Sequence, residues 1–300
     1  MSLEHLTPKT QELMELSDDE RINVIRSKRW VGYPRATKLL AKLEELFNYP
    51  KSDRMPNLLI IGDTNNGKTM LVKRFCAMHP ASDNPEGDSV IVPVLYIECP
   101  PKPDEGRLYD EILSKLYTRF KERDNAGKKL SQVLKVCEKI GVKMIVMDEV
   151  QHVLAGSHNQ QRLFLNVLKS LGNKLRIPIV AVGIREAFNA IQADEQLANR
   201  FELQPLPRWR LGDEEYERLL ASFEALLPLA EPSYLYDDQL ANKLYAMTEG
   251  YIGELSRLLS KAAEEAIKSS EEQITLKILN GLEWVAPSDR KKQMDKVLGI

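Results

Sequence analysis

Four apolar runs punctuate the first two-thirds of the chain: NLLIIG at 57–62, VIVPVLYIEC at 90–99, KMIVMDE at 143–149 and IPIVAVG at 177–183. They are continuous rather than alternating, the pattern expected of strands buried on both faces of a parallel sheet. Between them, apolar residues recur every three or four positions at 69–79, 107–123, 130–141 and 161–175, the period of amphipathic helices. Gly141 stands where a glycine closes a helix. Strand and helix alternate, which predicts an α/β core with a mostly parallel sheet. Beyond residue 206 the pattern is helical throughout, at 213–227, 237–250, 252–269 and 275–285.

Before the first run, Ser17 followed by Glu20 marks a helix start. A second helix is expected within 36–49, with Leu39, Leu40, Leu43, Leu46 and Phe47 sharing one core-facing side and Pro50 just beyond it. The expected organisation is a helical extension over 1–57, a nucleotide-binding core over 58–206, an all-helical lid over 207–285 and a polar tail over 286–300.

Composition narrows the function classes. Hydrophobic residues make up 43% and charged residues 29% of 300, values of a globular protein with a sizeable core. The formal charge of -2 gives no whole-molecule sign of nucleic-acid binding, so any such contact must use a local basic surface. Cys76, Cys99 and Cys137 are far apart, and with His5, His79, His152 and His158 they show no metal-ligand spacing. The segment from Met1 lacks the order of a signal peptide, and no apolar run approaches the roughly 20 residues of a membrane span. A cytoplasmic location without membrane attachment is expected.

The strongest local signal is Gly62-Asp63-Thr64-Asn65-Asn66-Gly67-Lys68-Thr69, followed by Met70. It matches G-x-x-x-x-G-K-[ST] and stands after a buried strand and before a helix. Such a loop turns successive backbone N–H groups toward phosphate oxygens, and the helix N-terminus adds partial positive charge. Lys68 is positioned for the β- and γ-phosphates of ATP, and Thr69 for Mg²⁺.

The third run ends in Asp148-Glu149. Taken alone, two carboxylates at a strand end also suit a helix cap. Downstream of a phosphate loop in an α/β chain they form the second half of a nucleotide site. Asp148 would hold the Mg²⁺ shell, and Glu149 would orient or deprotonate the attacking water.

Together these features resemble the AAA+ ATPases. Residues 54–69, 148–183, 196–209 (QLANRFELQPLPRW) and 248–259 (TEGYIGELSRLL) are similar to the TniB/TnsC transposition ATPases, and most so to the TniB branch. The resemblance covers about residues 20–285. It implies that Arg200 enters a neighbouring subunit's nucleotide site and stabilises charge on the γ-phosphate. Two positions depart from the family pattern. Ile184 stands where a polar residue usually follows the fourth strand, with Arg185 beside it. Glu254 stands where a basic residue is usual in the lid, with Arg257 one turn on as the candidate to face nucleotide. Both departures bear on hydrolysis rate more than on ATP binding.

The resemblance further implies a homo-oligomer, ring or helical filament, that assembles on double-stranded DNA with ATP between subunits. Expected partners are a DDE transposase of the TniA/TnsB type and, in many relatives, a TniQ-type targeting protein. The region implied to meet the DNA backbone holds Lys102, Lys121, Arg123, Lys128 and Lys129. The rival to phosphate contact is an ordinary solvated lysine face. Trp30, Tyr33, Trp209 and Trp284 are read as packing residues, Trp209 at a hinge. Two rival functions stay open: a replication initiator or helicase loader, and a nucleotide-dependent scaffold that scarcely hydrolyses ATP.

Overall fold

The computed structural model describes residues 3–154, 157–192 and 195–298. In chain order its elements are α1 (Pro8–Glu12), α2 (Asp18–Arg26), α3 (Pro34–Phe47), β1 (Asn57–Ile61), α4 (Lys68–Met78), β2 (Val94–Glu98), α5 (Glu105–Lys115), α6 (Ala126–Lys139), β3 (Met144–Asp148), α7 (His158–Leu175), β4 (Ile179–Gly183), α8 (Arg185–Gln192), α9 (Glu195–Ala198) and β5 (Phe201–Pro205). Five helices follow: α10 (Glu214–Glu224), α11 (Asp238–Thr248), α12 (Ile252–Lys268), α13 (Leu276–Gly281) and α14 (Arg290–Leu298). The chain divides into two compact units, one of Lys38–Thr64 and Lys68–Pro207, the other of Met1–Thr37, Asn65–Gly67 and Arg208–Ile300.

The first unit is built on a five-stranded sheet of order β2-β3-β4-β1-β5, every neighbouring pair parallel. β3 and β4 are buried at all positions, as their unbroken apolar sequences require. The register aligns Ile61 with Gly183, Met147 with Ala181 and Glu98 with Asp148, so Asp148, Gly183 and Gly62 fall at successive steps of the sheet's C-terminal edge. Helices pack on both faces. Leu108, Ile112, Val133, Leu168 and Leu171, all 1% exposed or less, join the strand side chains in one core. The side-chain oxygen of Asn57 accepts the N–H of Ile179 at 2.8 Å, tying β1 to the start of β4.

Three features differ from the sequence pattern. β5 (FELQP) carries no apolar run: at this edge of the sheet only Phe201 is buried along the strand. Its terminal Pro205 suits an edge, where a missing N–H leaves no ladder partner. The helix expected over 107–123 stops at Lys115. Tyr117 adopts a left-handed φ of 49°, and Thr118 N–H donates to the Leu113 carbonyl at 2.9 Å, closing the helix in a Schellman turn. The second run yields strand only from Val94; before Pro93, Ile91 pairs instead with Ser82 in an isolated antiparallel bridge. Gly141 does close α6, with φ 68° and Val142 N–H on the Cys137 carbonyl at 3.0 Å.

The second unit is helical. α12 turns Leu255, Leu258, Leu259, Ala262, Ala263 and Ala266 inward at spacings of three and four. Arg21 on α2, 5% exposed, donates to Glu272 at 2.6 and 2.8 Å and to the Pro228 carbonyl at 3.1 Å, so the N-terminal residues are tied to the lid helices. Glu224 caps a turn by accepting the N–H groups of Ser233, Tyr234 and Leu235 at 2.7–2.9 Å. Trp209 is buried, edge-to-face with Tyr33 at 5.1 Å between centroids and under the Arg35 guanidinium at 4.6 Å. The polar stretch from Pro287 forms a short 3₁₀ turn and α14, and its last two residues lie outside the described ones. Trp284 donates to the Met247 carbonyl at 2.8 Å, and Ser288 N–H to Glu249 at 2.9 Å. Among the described residues, no helix is long and apolar enough to cross a membrane.

Candidate nucleotide site

In the sheet unit, Lys68 opens α4 at the end of the loop leaving β1. Its side chain is buried, and Nζ donates to the carbonyls of Gly62 and Asp63, both at 2.8 Å. Burial pulls its pKa down, opposed by the charges of Glu149, Asp148 and Asp63. Neutral carbonyls compensate a buried ammonium weakly, so the position favours an anion.

One residue on, Thr69 donates its hydroxyl to Asp148 Oδ2 at 2.7 Å. Asp148 is 1% exposed; the Tyr96 phenol donates to the same oxygen at 2.9 Å, and Glu149 N–H caps Oδ1 at 2.9 Å. The Tyr96 phenol is pushed strongly upward by burial and then by the Asp148 charge, so it stays a donor at neutral pH. A hydroxyl and a buried carboxylate in contact, beside a buried lysine, are the donor set that oxygen-loving Mg²⁺ and a triphosphate require.

Glu149 has a left-handed φ of 56°, which turns the chain sharply off β3. Its carboxylate accepts from the Gln151 amide, and Gln151 Oε1 accepts the Ile184 N–H at 3.3 Å. Arg185 is exposed at the start of α8. Met70 is 38% exposed on the first turn of α4, and Asp63 and Thr64 are exposed ahead of it.

Asn65, Asn66 and Gly67 belong to the helical unit. Asn65 and Gly67 both take left-handed φ values, 63° and 83°, the kind of backbone that forms an anion-binding nest. The Asn65 amide donates to Glu254 Oε1 at 2.8 Å, and Gly253 N–H donates to the Asn65 carbonyl at 3.1 Å. Arg290 grips both oxygens of the Glu254 carboxylate, with Nη1 3.0 Å from Oε1 and Nη2 on Oε2. Arg290 first, and Arg257 and Asn65 after it, hold the Glu254 carboxyl below its usual range against the effect of burial. The Glu254 departure is therefore neutralised locally. Arg257, with 63% of its side chain exposed, lies 3.5 Å from Glu254 and 5.9 Å from the Trp284 ring.

Arg200 lies at the opposite end of the sheet from the phosphate loop. Its carbonyl accepts the N–H of Asn57, the first residue of β1, and its guanidinium donates to Asn173 at 2.8 Å. It lines a cavity of about 720 Å³ with Tyr49, Arg54 and Asn199. The five residues of β1 separate it from Gly62, a span of about 16 Å.

The DNA candidates do not share one environment. Lys102, Lys121 and Arg123 are exposed, and Lys128 is exposed but paired with Asp124 at 2.8 Å. Lys129 is a correction: it is 5% exposed and paired with Asp110 at 2.7 Å, because its place on α6 faces α5 rather than solvent. Among the described residues no cluster of His, Cys, Asp or Glu could hold a metal by itself.

The family model for the bacterial TniB protein matches residues 21–211. The chain belongs to the TniB family. No curated protein sequence matches it. Among solved structures, this TniB-family chain is similar to the Aeropyrum pernix ORC2 protein in its ADPNP–ADP complexes, with TM-score 0.59 and 15% identity over 85% of this chain and 69% of that one. It is similar to CDC6P from Pyrobaculum aerophilum, with TM-score 0.59 and 16% identity over 86% and 68%. It is also similar to the Aeropyrum pernix ORC1 protein in complex with DNA, with TM-score 0.53 and 16% identity over 92% and 70%. Fold and family make it an AAA+ ATPase.

Sequence reading missed Tyr96 and Gln151. Tyr96 sits in an apolar run where a tyrosine reads as packing, and its tie to Asp148 depends on β2 lying beside β3. Gln151 lies two residues after Glu149, yet its other partner, Ile184, follows the end of β4.

Proposed function

We propose that this protein is an ATP-dependent, DNA-binding regulator of transposition. It assembles on duplex DNA in the cytoplasm and recruits or activates a DDE transposase, with a TniQ-type targeting protein as a further partner. The TniB match supports the transposition context. The observation that carries the assembly is the placement of Arg200, a sheet's length from Lys68 and Asp148 in its own molecule. A guanidinium so placed serves a nucleotide held by another copy, and heterologous contacts of that kind build rings or filaments.

In this reading Lys68 binds the β- and γ-phosphates, Thr69 and Asp148 hold Mg²⁺, and Glu149 orients the attacking water. Arg200 of a second copy stabilises charge on the transferring phosphoryl group. Lys102, Lys121 and Arg123, with Lys128 beside them, supply phosphate-directed DNA contacts that salt weakens.

Electron microscopy of the protein with duplex DNA tests this. Ordered assemblies are expected with a non-hydrolysable ATP analogue and their loss with ADP. Protein that stays monomeric and off the duplex in both states would overturn the assembly reading and leave the AAA+ fold and family intact.

A further inference from the structure

Ile184 offers no polar side chain at the end of β4, where chemistry beside Glu149 needs one, yet the spot is not apolar. Gln151 fills it from the neighbouring strand's end. Its amide does two things at once: Nε2 donates to Glu149 Oε2, and Oε1 accepts the backbone N–H of Ile184 at 3.3 Å. Turning the amide over would set oxygen against carboxylate and NH₂ against N–H, so the two partners fix its orientation.

The approach is built into the backbone. A Cβ on Gly183 would come 2.9 Å from Gln151 Oε1 and 3.0 Å from Val150 Cγ1, so glycine there lets the glutamine reach β4. Val150 is fully buried and anchors the turn that carries Gln151. Glu149 itself is held at φ 56° with its N–H on Asp148 and its carbonyl accepting from His152 at 3.0 Å. The Glu149 backbone is thus hydrogen-bonded through both its N–H and its carbonyl, and Gln151 holds the carboxylate it carries.

We propose that Gln151 is the positioning residue that aims the Glu149 carboxylate and couples it to the end of β4, replacing the polar side chain that Ile184 lacks. This rests on the reading of Glu149 as the residue that orients the attacking water. Of the common side chains, glutamine has the reach and the paired donor and acceptor. Glutamate keeps the acceptor for Ile184 N–H but sets like charge against Glu149, and leucine keeps the volume and loses both bonds.

The test is a double-mutant cycle read by steady-state phosphate release at saturating ATP, with nucleotide affinity measured in parallel. Gln151→Leu and Gln151→Glu are each expected to lower kcat by about 10- to 100-fold with ATP affinity within about 2-fold of the parent. In a Glu149→Gln background, Gln151→Leu is expected to change nothing further, because it acts through the carboxylate already removed. A Gln151→Leu enzyme that binds ATP and turns over within about 3-fold of the parent overturns the proposal. So does a loss that multiplies with Glu149→Gln, or one that Gln151→Glu does not share. If Glu149→Gln alone keeps full turnover, it is the reading of Glu149 that fails. Gln151→Glu serves should the leucine variant not fold.

Discussion

Lys68 illustrates how a single buried charge is tuned for a ligand. Its ammonium is largely out of water and held by the carbonyls of Gly62 and Asp63, and burial lowers its pKa. Removing it should cost ligand binding and not the fold, since the free protein bears the desolvation of that charge. Lys68→Ala is expected to weaken ATP binding by about 30- to 150-fold, equivalent to about 2–3 kcal/mol of charge-assisted hydrogen bonding. Its melting temperature without nucleotide should match or exceed the parent's. Calorimetric titration and a thermal melt check both, and unchanged ATP affinity would remove Lys68 from the phosphate role. The placement of Lys68, Thr69, Asp148 and Glu149 was legible in the sequence because it follows from local order: strand, loop, helix, and strand end. Tyr96 and Gln151 were not, because their partners come from β3 and β4, and no spacing within a chain encodes which strands become neighbours.

At the scale of elements, the same distinction separates what the hydrophobic pattern reveals from what it hides. β3 and β4 announce themselves because both faces are buried, whereas β5 is an edge with one buried residue and reads as loop. The end of α5 was hidden differently. The apolar period runs on through Leu116 and Phe120, but Tyr117 takes the left-handed turn that usually calls for glycine, and its side chain is 98% exposed. An L-residue in that conformation carries a steric cost that glycine escapes. Tyr117→Gly should therefore raise unfolding stability by about 0.5–1 kcal/mol, since no packing is lost with so exposed a ring. Chemical denaturation would show the midpoint move upward. A downward shift would mean that the ring, not the turn, matters to the fold. The C-terminal segment adds a second lesson: polar composition suggested a tail, but Arg290, the first residue of α14, meets the buried carboxylate of Glu254, which ties the start of that largely exposed helix to α12.

For the whole molecule, the decisive question is where the nucleotide site is completed. Arg200 and the phosphate loop lie at opposite ends of β1, so an enzyme working as proposed draws one from each of two copies. That makes the defects of two different variants complementary. Arg200→Ala keeps Lys68, Asp148 and Glu149 but offers its neighbour no guanidinium. Glu149→Gln binds ATP without orienting water, yet still presents Arg200. Each alone should turn over ATP slowly. Mixed in equal amounts and co-assembled on duplex DNA, one interface in four pairs an intact Glu149 with an intact Arg200, and turnover should rise to about a quarter of the parent's. Phosphate release measured across mixing ratios should peak near equality and vanish at either end. A flat, low line from variants that demonstrably co-assemble would place the catalytic arginine elsewhere. Recovery above a quarter, up to about one half, would mean that unlike copies alternate in the assembly rather than mix at random.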